Sequence, residues 1–462
     1  MRQPLTDTQP APQPRPQPGS GPPAPAGWRR AGPPPVFSLL LSAFLLLVYS
    51  RAIELIPVRG LLMLLGIALL GGAVVTGRWM RAVFNAPTAL LVAMSILMLP
   101  SAALGLWPGG SVLLLVDTWS RSVLIYFVVV SFVQDLQTLR RAVATLAFAM
   151  SVVVLMGIFL GVERFGRMAI NTGTLLNPND LATVLVVGLP FCVYYMRDRQ
   201  RSRLGRLIMA PTVIGVLIIL MRTGSRAGFL GLVGVGLVLV FLTRGKTRLL
   251  FVTAGLACVI ITGAVLSSGL VQRYQTIVSS EVETEADDST QQEEDTRIQH
   301  AIGSSTMRWK LFLISLRVTF YNPLFGVGPG NFGVAAAETT REAGEKPIWQ
   351  QSHNAVTQVS SECGVLAAAL FLALIMYCIR ITHRIRKSAA ASQPLRVFAP
   401  LALCLFTAVT GWTICATFSS IAYLMHLPLL AALVVALQSS YRAAASDAAL
   451  EPPPPARQPR QW

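Results

Sequence analysis

Apolar runs long enough to cross the ~30 Å hydrocarbon core of a bilayer as helices recur along nearly the whole chain. Only 13% of the 462 residues are charged and the mean hydropathy is +0.59, which is unlike a soluble domain. We therefore predict an all-α polytopic membrane protein with about 12 transmembrane helices. The predicted spans are residues 36–53, 60–76, 86–106, 112–133, 142–162, 179–195, 207–221, 228–243, 249–267, 356–379, 398–417 and 423–440.

The segments outside these spans divide the chain into five parts. Residues 1–35 are rich in Pro, Gln and Ala, and such a segment cannot bury enough apolar surface to fold, so we predict a disordered tail. Residues 36–267 hold nine spans and residues 353–440 hold three. Between them, residues 268–352 form one large loop, and residues 441–462 form a second disordered tail.

The net charge of +17 follows membrane topology, so we expect a membrane lipid environment and no nucleic-acid partner. Basic residues gather at alternate turns between the spans, which by the positive-inside rule predicts that both termini are cytoplasmic and that the loop 268–352 lies on the opposite face. These basic turns contain Arg78 and Arg81, Arg140 and Arg141, residues 197–206, residues 244–248, and residues 380–396.

A turn between two apolar runs contains two arginines, Arg222 and Arg226, separated by Thr, Gly and Ser. A charged residue at membrane depth is a functional hypothesis by default. Guanidinium groups bind phosphate oxygens in a bidentate way and stay charged, which favours a phosphate site. The alternative is that both side chains extend to the headgroup level without a specific ligand.

A second group of polar residues begins where the large loop re-enters the membrane. His353 and Asn354 come first, and Glu362 and Gly364 follow in the predicted tenth helix. An imidazole can accept a proton from a hydroxyl nucleophile near neutral pH. A histidine at a helix start can equally be a cap or an interface residue.

The second half of the loop contains a predicted helix at 305–320 that carries Arg308, followed by a glycine-rich run at 322–332. This run lacks the Gly-Lys-Ser/Thr of a nucleotide loop, so we interpret it as tight backbone turning. We predict structural roles for residues 177–180, where an Asn or Asp would cap the sixth helix, and for Asp117 with Arg121, as a pair inside the membrane. The four histidines are scattered and no carboxylate cluster lies at membrane depth, so we expect no metal and no cofactor.

Together, the motifs at 222–228, 322–332 and 353–364 resemble those of the O-antigen ligase superfamily, which also contains O-antigen polymerases and protein oligosaccharyltransferases. The resemblance covers roughly residues 170 to 380. It implies a GT-C-like membrane glycosyltransferase of the bacterial inner membrane, active on the periplasmic face, where the loop between helices 9 and 10 lies.

The resemblance also implies roles for individual residues. Arg226 matches the arginine after the seventh-helix turn, Arg222 is a weaker match, and Arg308 resembles the loop arginine; these would bind diphosphate. His353 matches the histidine of a His-Asn pattern and would be catalytic with Arg226. Asn354, Glu362 and Gly364 would support the site, whereas Ala367 stands where the pattern has Gly, Thr or Tyr.

The implied reaction moves a glycan from undecaprenyl diphosphate to an acceptor hydroxyl, without a metal ion and with inversion. The acceptor is lipid A–core in a ligase of lipopolysaccharide biosynthesis and a growing glycan in a polymerase of O-antigen or exopolysaccharide, and both stay open. A transporter is the alternative of another class. It would more often show two similar halves, and we find no internal repeat.

Overall fold

The computed structural model describes residues 33–56, 60–164, 166–198, 200–253, 255 and 306–450. Several sequence expectations concern residues outside these ranges. They are nearly all of the N-terminal tail, the last part of the C-terminal tail, most of the ninth span at 249–267, and the acidic first half of the large loop up to residue 305.

The described residues are mostly helical. Eight helices are long and apolar enough to cross a membrane, and three shorter apolar helices, α1, α2 and α9, coincide with three further predicted spans. The helices are α1 Pro35–Ser50, α2 Leu61–Val75, α3 Trp79–Val83, α4 Ala86–Leu104, α5 Pro108–Phe132, α6 Leu136–Phe159, α7 Pro178–Arg197, α8 Arg203–Arg222, α9 Arg226–Leu242, α10 306–321, α11 Phe332–Glu342, α12 Ala355–Ala391, α13 Phe398–Thr417 and α14 His426–Leu450. Residues 246–253 are also helical.

Helix ends differ from the predicted spans where capping or helix propensity extends a helix. A capping box at Asp135 starts α6 at Leu136, six residues before the predicted span that begins at 142. A cap at residues 177–180 was predicted, and Asn177 is the residue that forms it, because its side chain accepts from the backbone N–H of Asn179 at 2.9 Å. The prediction of a disordered tail from residue 441 is wrong for its first part, since the Ala-rich end of α14 continues to Leu450.

One short hairpin interrupts the helical architecture and was not predicted. Strand β1, Gly161–Arg164, pairs antiparallel with β2, Arg167–Ile170, in a register that places Gly161 opposite Ile170. Gly166 has a φ of +67° in the turn, a conformation that glycine adopts without strain. The hairpin follows α6 directly and leads to the start of α7.

Helices α7 and α13 form the centre of the bundle, where α9 packs against both. A Cβ on Gly228 would lie 2.6 Å from the Cβ of Ala182, and one on Gly231 would lie 2.7 Å from the Sγ of Cys415. Small residues at these positions let the helix backbones approach closely, which is how helices associate inside membranes. This packing sets the position of the first turn of α9.

The described half of the large loop is a compact unit of two helices. Helix α10 coincides with the helix predicted from the sequence and ends before Pro323, and α11 packs against it. Their small apolar core consists of Leu311, Ile314, Val318, Val327, Phe332, Ala335 and Ala336. The glycine-rich run lies between the two helices.

Candidate active site

The arginine turn connects α8 to α9. Arg222 is the last residue of α8 and is exposed, whereas Arg226 is the first residue of α9 and is half-buried. Ser225 caps α9, since its Oγ accepts from the backbone N–H of Gly228 at 3.3 Å and donates to the Oδ1 of Asn179 at 2.9 Å. The cap fixes where α9 begins and therefore the position of Arg226 in its first turn.

A third arginine, which the sequence analysis did not identify, holds this turn from the hairpin. The Nε of Arg167 donates to the backbone oxygen of Thr223 at 2.8 Å, and its Nη2 donates to the Oδ1 of Asn179, also at 2.8 Å. Arg167 therefore connects β2, the turn and the start of α7. In the sequence Arg167 is only a basic residue shortly after an apolar run. Many loop residues fit that description, so it could not be identified as a site residue.

His353 lies just before α12 in a conformation that is rare for residues other than glycine. Its φ is +55°, and its backbone N–H donates to the Oγ of Ser420 at 2.8 Å. The next residue, Asn354, caps α12 by accepting from the N–H groups of Val356 and Thr357 at 2.9 and 3.0 Å. Its Nδ2 donates to the backbone oxygen of Thr417 at 3.1 Å. Strained residues of this kind cluster at functional sites.

The environment of the His353 imidazole keeps it neutral. Burial lowers the pKa of His353 to about 4, and the positive charge of Arg308 on α10 adds to the lowering. The structure thus brings together two of the residues identified in the sequence, one before α12 and one in the large loop. A neutral imidazole has a free nitrogen lone pair that can accept a proton.

Helix α12 is broken at Gly364, and the glycine-rich run fills the break. Gly364 has φ +87° and ψ 170°, and the peptide groups around it pair with the run as strands do. Val327 N–H donates to the oxygen of Ser361 at 2.9 Å, and Val365 N–H donates to the oxygen of Pro323 at 2.8 Å. A Cβ on Gly364 would lie 2.1 Å from the Leu324 oxygen, so no larger residue fits this approach.

Glu362 faces this loop contact and not the arginine turn. Its carboxylate is fully buried, with Oε2 accepting from Gly330 N–H at 2.8 Å and from the Tyr423 hydroxyl at 2.7 Å. Its Oε1 accepts from Phe332 N–H at 3.4 Å. Glu362 thus joins α12, the glycine-rich run and the connection between α13 and α14. Spacing along α12 could not indicate these partners, because they lie in other segments.

The arginine turn and His353 lie at the same end of the bundle because both pack on the last turn of α13. The Sγ of Cys415 lies 3.6 Å from the backbone oxygen of Ala227, next to Arg226. Two residues further along the same helix, Thr417 accepts from Asn354, next to His353. The starts of α9 and α12 are far apart in sequence, and both contact one short stretch of α13.

A second polar group lies at this end, and the sequence analysis did not assign it. Arg51 follows α1, and its Nη1 lies 3.5 Å from the Oε1 of Glu54. Burial lowers the pKa of Arg51, the carboxylates of Glu54 and Asp180 oppose this, and Arg121 adds to it. His426, the first residue of α14, is buried, and its ring nitrogens have no hydrogen-bond partner among the described residues. Arg51 thus adds a positive charge near Asp180 at the start of α7.

The predicted pair of Asp117 and Arg121 is present, with Nη2 of Arg121 2.8 Å from Oδ1 of Asp117. Both side chains are about half exposed, so the pair lies at the surface of α5. The π-helical turn at Leu115–Trp119 contains Asp117, and such turns are frequent at functional sites.

The arrangement combines fixed cations with a neutral base. Guanidinium groups of Arg222 and Arg226 lie at this end of the bundle, together with the imidazole of His353. Bidentate binding of a phosphate needs guanidinium geometry, and general base catalysis needs an unprotonated group within reach of the hydroxyl. Residue types of both kinds are present at this end of the bundle.

Comparison with known proteins gives one family. Residues 211–372 match the family model described as O-antigen ligase, whereas none of the curated proteins matches the chain. The matched segment begins in α8 and ends in α12, so it contains the arginine turn, Arg308, the glycine-rich run and His353. The match confirms the resemblance of this chain to the O-antigen ligase superfamily and supports an O-antigen ligase-like function in glycan transfer at a membrane.

Proposed function

We propose that this protein transfers a glycan from undecaprenyl diphosphate to an acceptor hydroxyl, without a metal ion and with inversion at the sugar. The observation that carries the proposal is the packing of the arginine turn and of the His353 segment on the same last turn of α13. Cationic groups and a neutral imidazole are thereby available to one substrate at one end of the bundle.

The arginines would bind the diphosphate of the donor. The polyprenyl tail would lie in the bilayer and the diphosphate at its surface, beside exposed Arg222 and half-buried Arg226. Arg308 would add a further positive charge beside His353. Fixed guanidinium charge stabilises a leaving diphosphate without reorganising during the reaction, which is the task that a divalent ion performs in other transferases.

His353 would act as the general base. The acceptor oxygen attacks the anomeric carbon and forms the new glycosidic bond, while the bond from that carbon to the diphosphate oxygen breaks and its electron pair leaves with the diphosphate. The proton of the acceptor hydroxyl passes to the neutral imidazole of His353 and then to solvent. Attack opposite the leaving group gives inversion.

The charge distribution supports a periplasmic active site. The basic turns that the positive-inside rule assigns to the cytoplasm include Arg197, at the end of α7, and Arg244, just after α9. Arg226 and Asn177 lie at the opposite ends of the same two helices. This orientation would place both termini in the cytoplasm, and the proposed reaction places the protein in the bacterial inner membrane.

The same chemistry serves two acceptors. A lipid A–core sugar would make the protein a ligase, and the end of a growing O-antigen or exopolysaccharide chain would make it a polymerase. Ala367, which departs from the ligase pattern, is fully buried in α12 and so has no exposed surface to offer an acceptor. We therefore propose the ligase-like reaction, and the test compares the two acceptors.

The test is an assay with purified protein in liposomes, undecaprenyl-diphosphate-linked glycan and either acceptor, with no ion gradient or nucleotide. Transfer is followed by the mass of the glycosylated acceptor. His353→Ala is expected to lower the rate roughly 100-fold or more, because a general base contributes at least that much. Arg226→Ala is expected to have an effect of similar size, because it removes charge stabilisation of the leaving group.

The matched controls carry the same residue types at the other end of the bundle. His383 is exposed on α12, and Arg244 is exposed just after α9, so alanine at either position is expected to leave transfer unchanged. Normal transfer by both site variants would contradict the proposed site. Transport of donor across the liposome membrane without any transfer would favour a carrier.

A further inference from the structure

A cavity of about 500 Å³ lies between α7, α9, α12 and α13, at the end of the bundle opposite the arginine turn. Four arginines line it together with apolar residues from the helix ends. The lining includes Arg140, Arg197, Arg386, Arg396, Leu239 and Leu403.

The cavity has an excess of positive charge. Asp198 is the one acidic residue in its described lining, and its carboxylate is already shared by two arginines. The Nη2 of Arg140 lies 2.9 Å from both of its oxygens, and the Nε of Arg201 lies 3.3 Å from Oδ2. Asp198 therefore leaves the other arginines of the cavity uncompensated.

Arg386 has a hydrogen-bond donor in this cavity that lacks an acceptor in the part of the chain that the structure describes. Its Nε is buried and has no hydrogen-bond partner among the described residues. A buried guanidinium N–H without a partner is costly, and an anion in the cavity would remove that cost. Arg396 is exposed where α13 begins and lines the same cavity, so two guanidinium groups are available to one anion.

The position of the cavity corresponds to a membrane surface. Helix α9 has 17 residues and rises about 25 Å from Arg226 to Leu242, which is close to the thickness of the hydrocarbon core. The cavity is lined by Leu242, so it lies about one bilayer core away from the arginine turn. Phe241 and Leu249 are exposed beside it, as expected for side chains that contact lipid.

We propose that this cavity binds the headgroup of an anionic phospholipid, with the phosphate on Arg386 and Arg396 and an acyl chain along the apolar wall. Basic pockets between helices on the cytoplasmic side of a membrane have the charge and shape for such headgroups. The apolar wall formed by Leu239 and Leu403 favours a lipid over a soluble anion. This site is separate from the proposed glycan-transfer site.

The test counts lipids bound to the purified full-length protein by native mass spectrometry. The protein is titrated with dioleoylphosphatidylglycerol and, in parallel, with dioleoylphosphatidylcholine. We expect the anionic lipid to be retained in preference. Each basic residue near the membrane surface raises the affinity for an anionic lipid roughly fivefold. The double variant with Arg386→Gln and Arg396→Gln should therefore lower retention of the lipid roughly 25-fold.

Arg384→Gln is the matched control, because Arg384 is exposed on the same helix and does not line the cavity. It should retain the lipid as the unchanged protein does. Equal loss in Arg384→Gln, or equal retention of both lipids, would overturn the proposal. Complete displacement of the lipid by glycerol 3-phosphate would show that the cavity is a site for soluble anions and not for a lipid. If the double variant unfolds on heating before the unchanged protein, Arg396→Gln alone, at an exposed position, should still lower retention roughly fivefold.

Discussion

Replacement of Glu362 tests whether one buried carboxylate holds the glycine-rich run in the break of α12. Its Oε2 accepts from Gly330 N–H at 2.8 Å and from the Tyr423 hydroxyl at 2.7 Å, and Oε1 accepts from Phe332 N–H at 3.4 Å. The side chain is fully buried, so solvent cannot replace an acceptor that a substitution removes.

The magnitude follows from the number of donors that lose an acceptor. In Glu362→Gln the amide oxygen can face Gly330 and Tyr423, which leaves the amide N–H₂ against the N–H of Phe332. One donor without an acceptor costs about 1–3 kcal/mol, and the amide must also fit a site shaped for a carboxyl group. We expect a loss of about 2–3 kcal/mol in the free energy of unfolding.

In Glu362→Ala all three donors lose their acceptor and a cavity remains, so the loss should reach about 4 kcal/mol or more. The measurement is equilibrium unfolding in mixed micelles with increasing dodecyl sulfate, followed by circular dichroism. Glu338 is exposed on α11 and provides the matched controls Glu338→Gln and Glu338→Ala. If Glu362→Ala unfolded at the same dodecyl sulfate fraction as Glu338→Ala, the reasoning would be refuted.

Two further predictions concern the site and the helix break. Because burial and Arg308 lower the pKa of His353 to about 4, the imidazole is neutral above that pH; kcat/KM should stay constant down to about pH 5 and fall below it. Arg308→Gln removes a positive charge and should move this acid limb to higher pH, and an unmoved limb would contradict the assignment. Gly364→Ala should lower both thermal stability and transfer, because the new Cβ would lie 2.1 Å from the Leu324 oxygen at a φ of +87°, whereas the nearby Ala367→Gly should cost only about 1 kcal/mol.

The sequence alone determined the elements that depend on local composition. Apolar runs predicted most of the membrane helices, because the period and length of hydrophobic residues are properties of one segment. The cap at residues 177–180 and the pair of Asp117 with Arg121 were predicted for the same reason, since all their atoms lie within one turn of helix. The motif at 222–228 was also recognised locally.

Tertiary structure decided which residues surround the candidate site. Arg167 contacts Thr223 only because the hairpin after α6 folds toward α8, and Glu362 accepts from Tyr423 only because the connection between α13 and α14 packs against α12. The break at Gly364 has the same origin, because the peptide groups it releases pair with a run some forty residues earlier in the chain.

The physical reason is that a sequence pattern reports on neighbours along the chain, whereas a site is built from groups that are neighbours in space. Arg226 and His353 were named from their own motifs, yet nothing in either motif determines that both segments pack on the last turn of α13. That contact depends on small residues such as Gly231, which let α9 approach α13 closely. Local hydropathy thus determined the helices, and close packing between them determined the site.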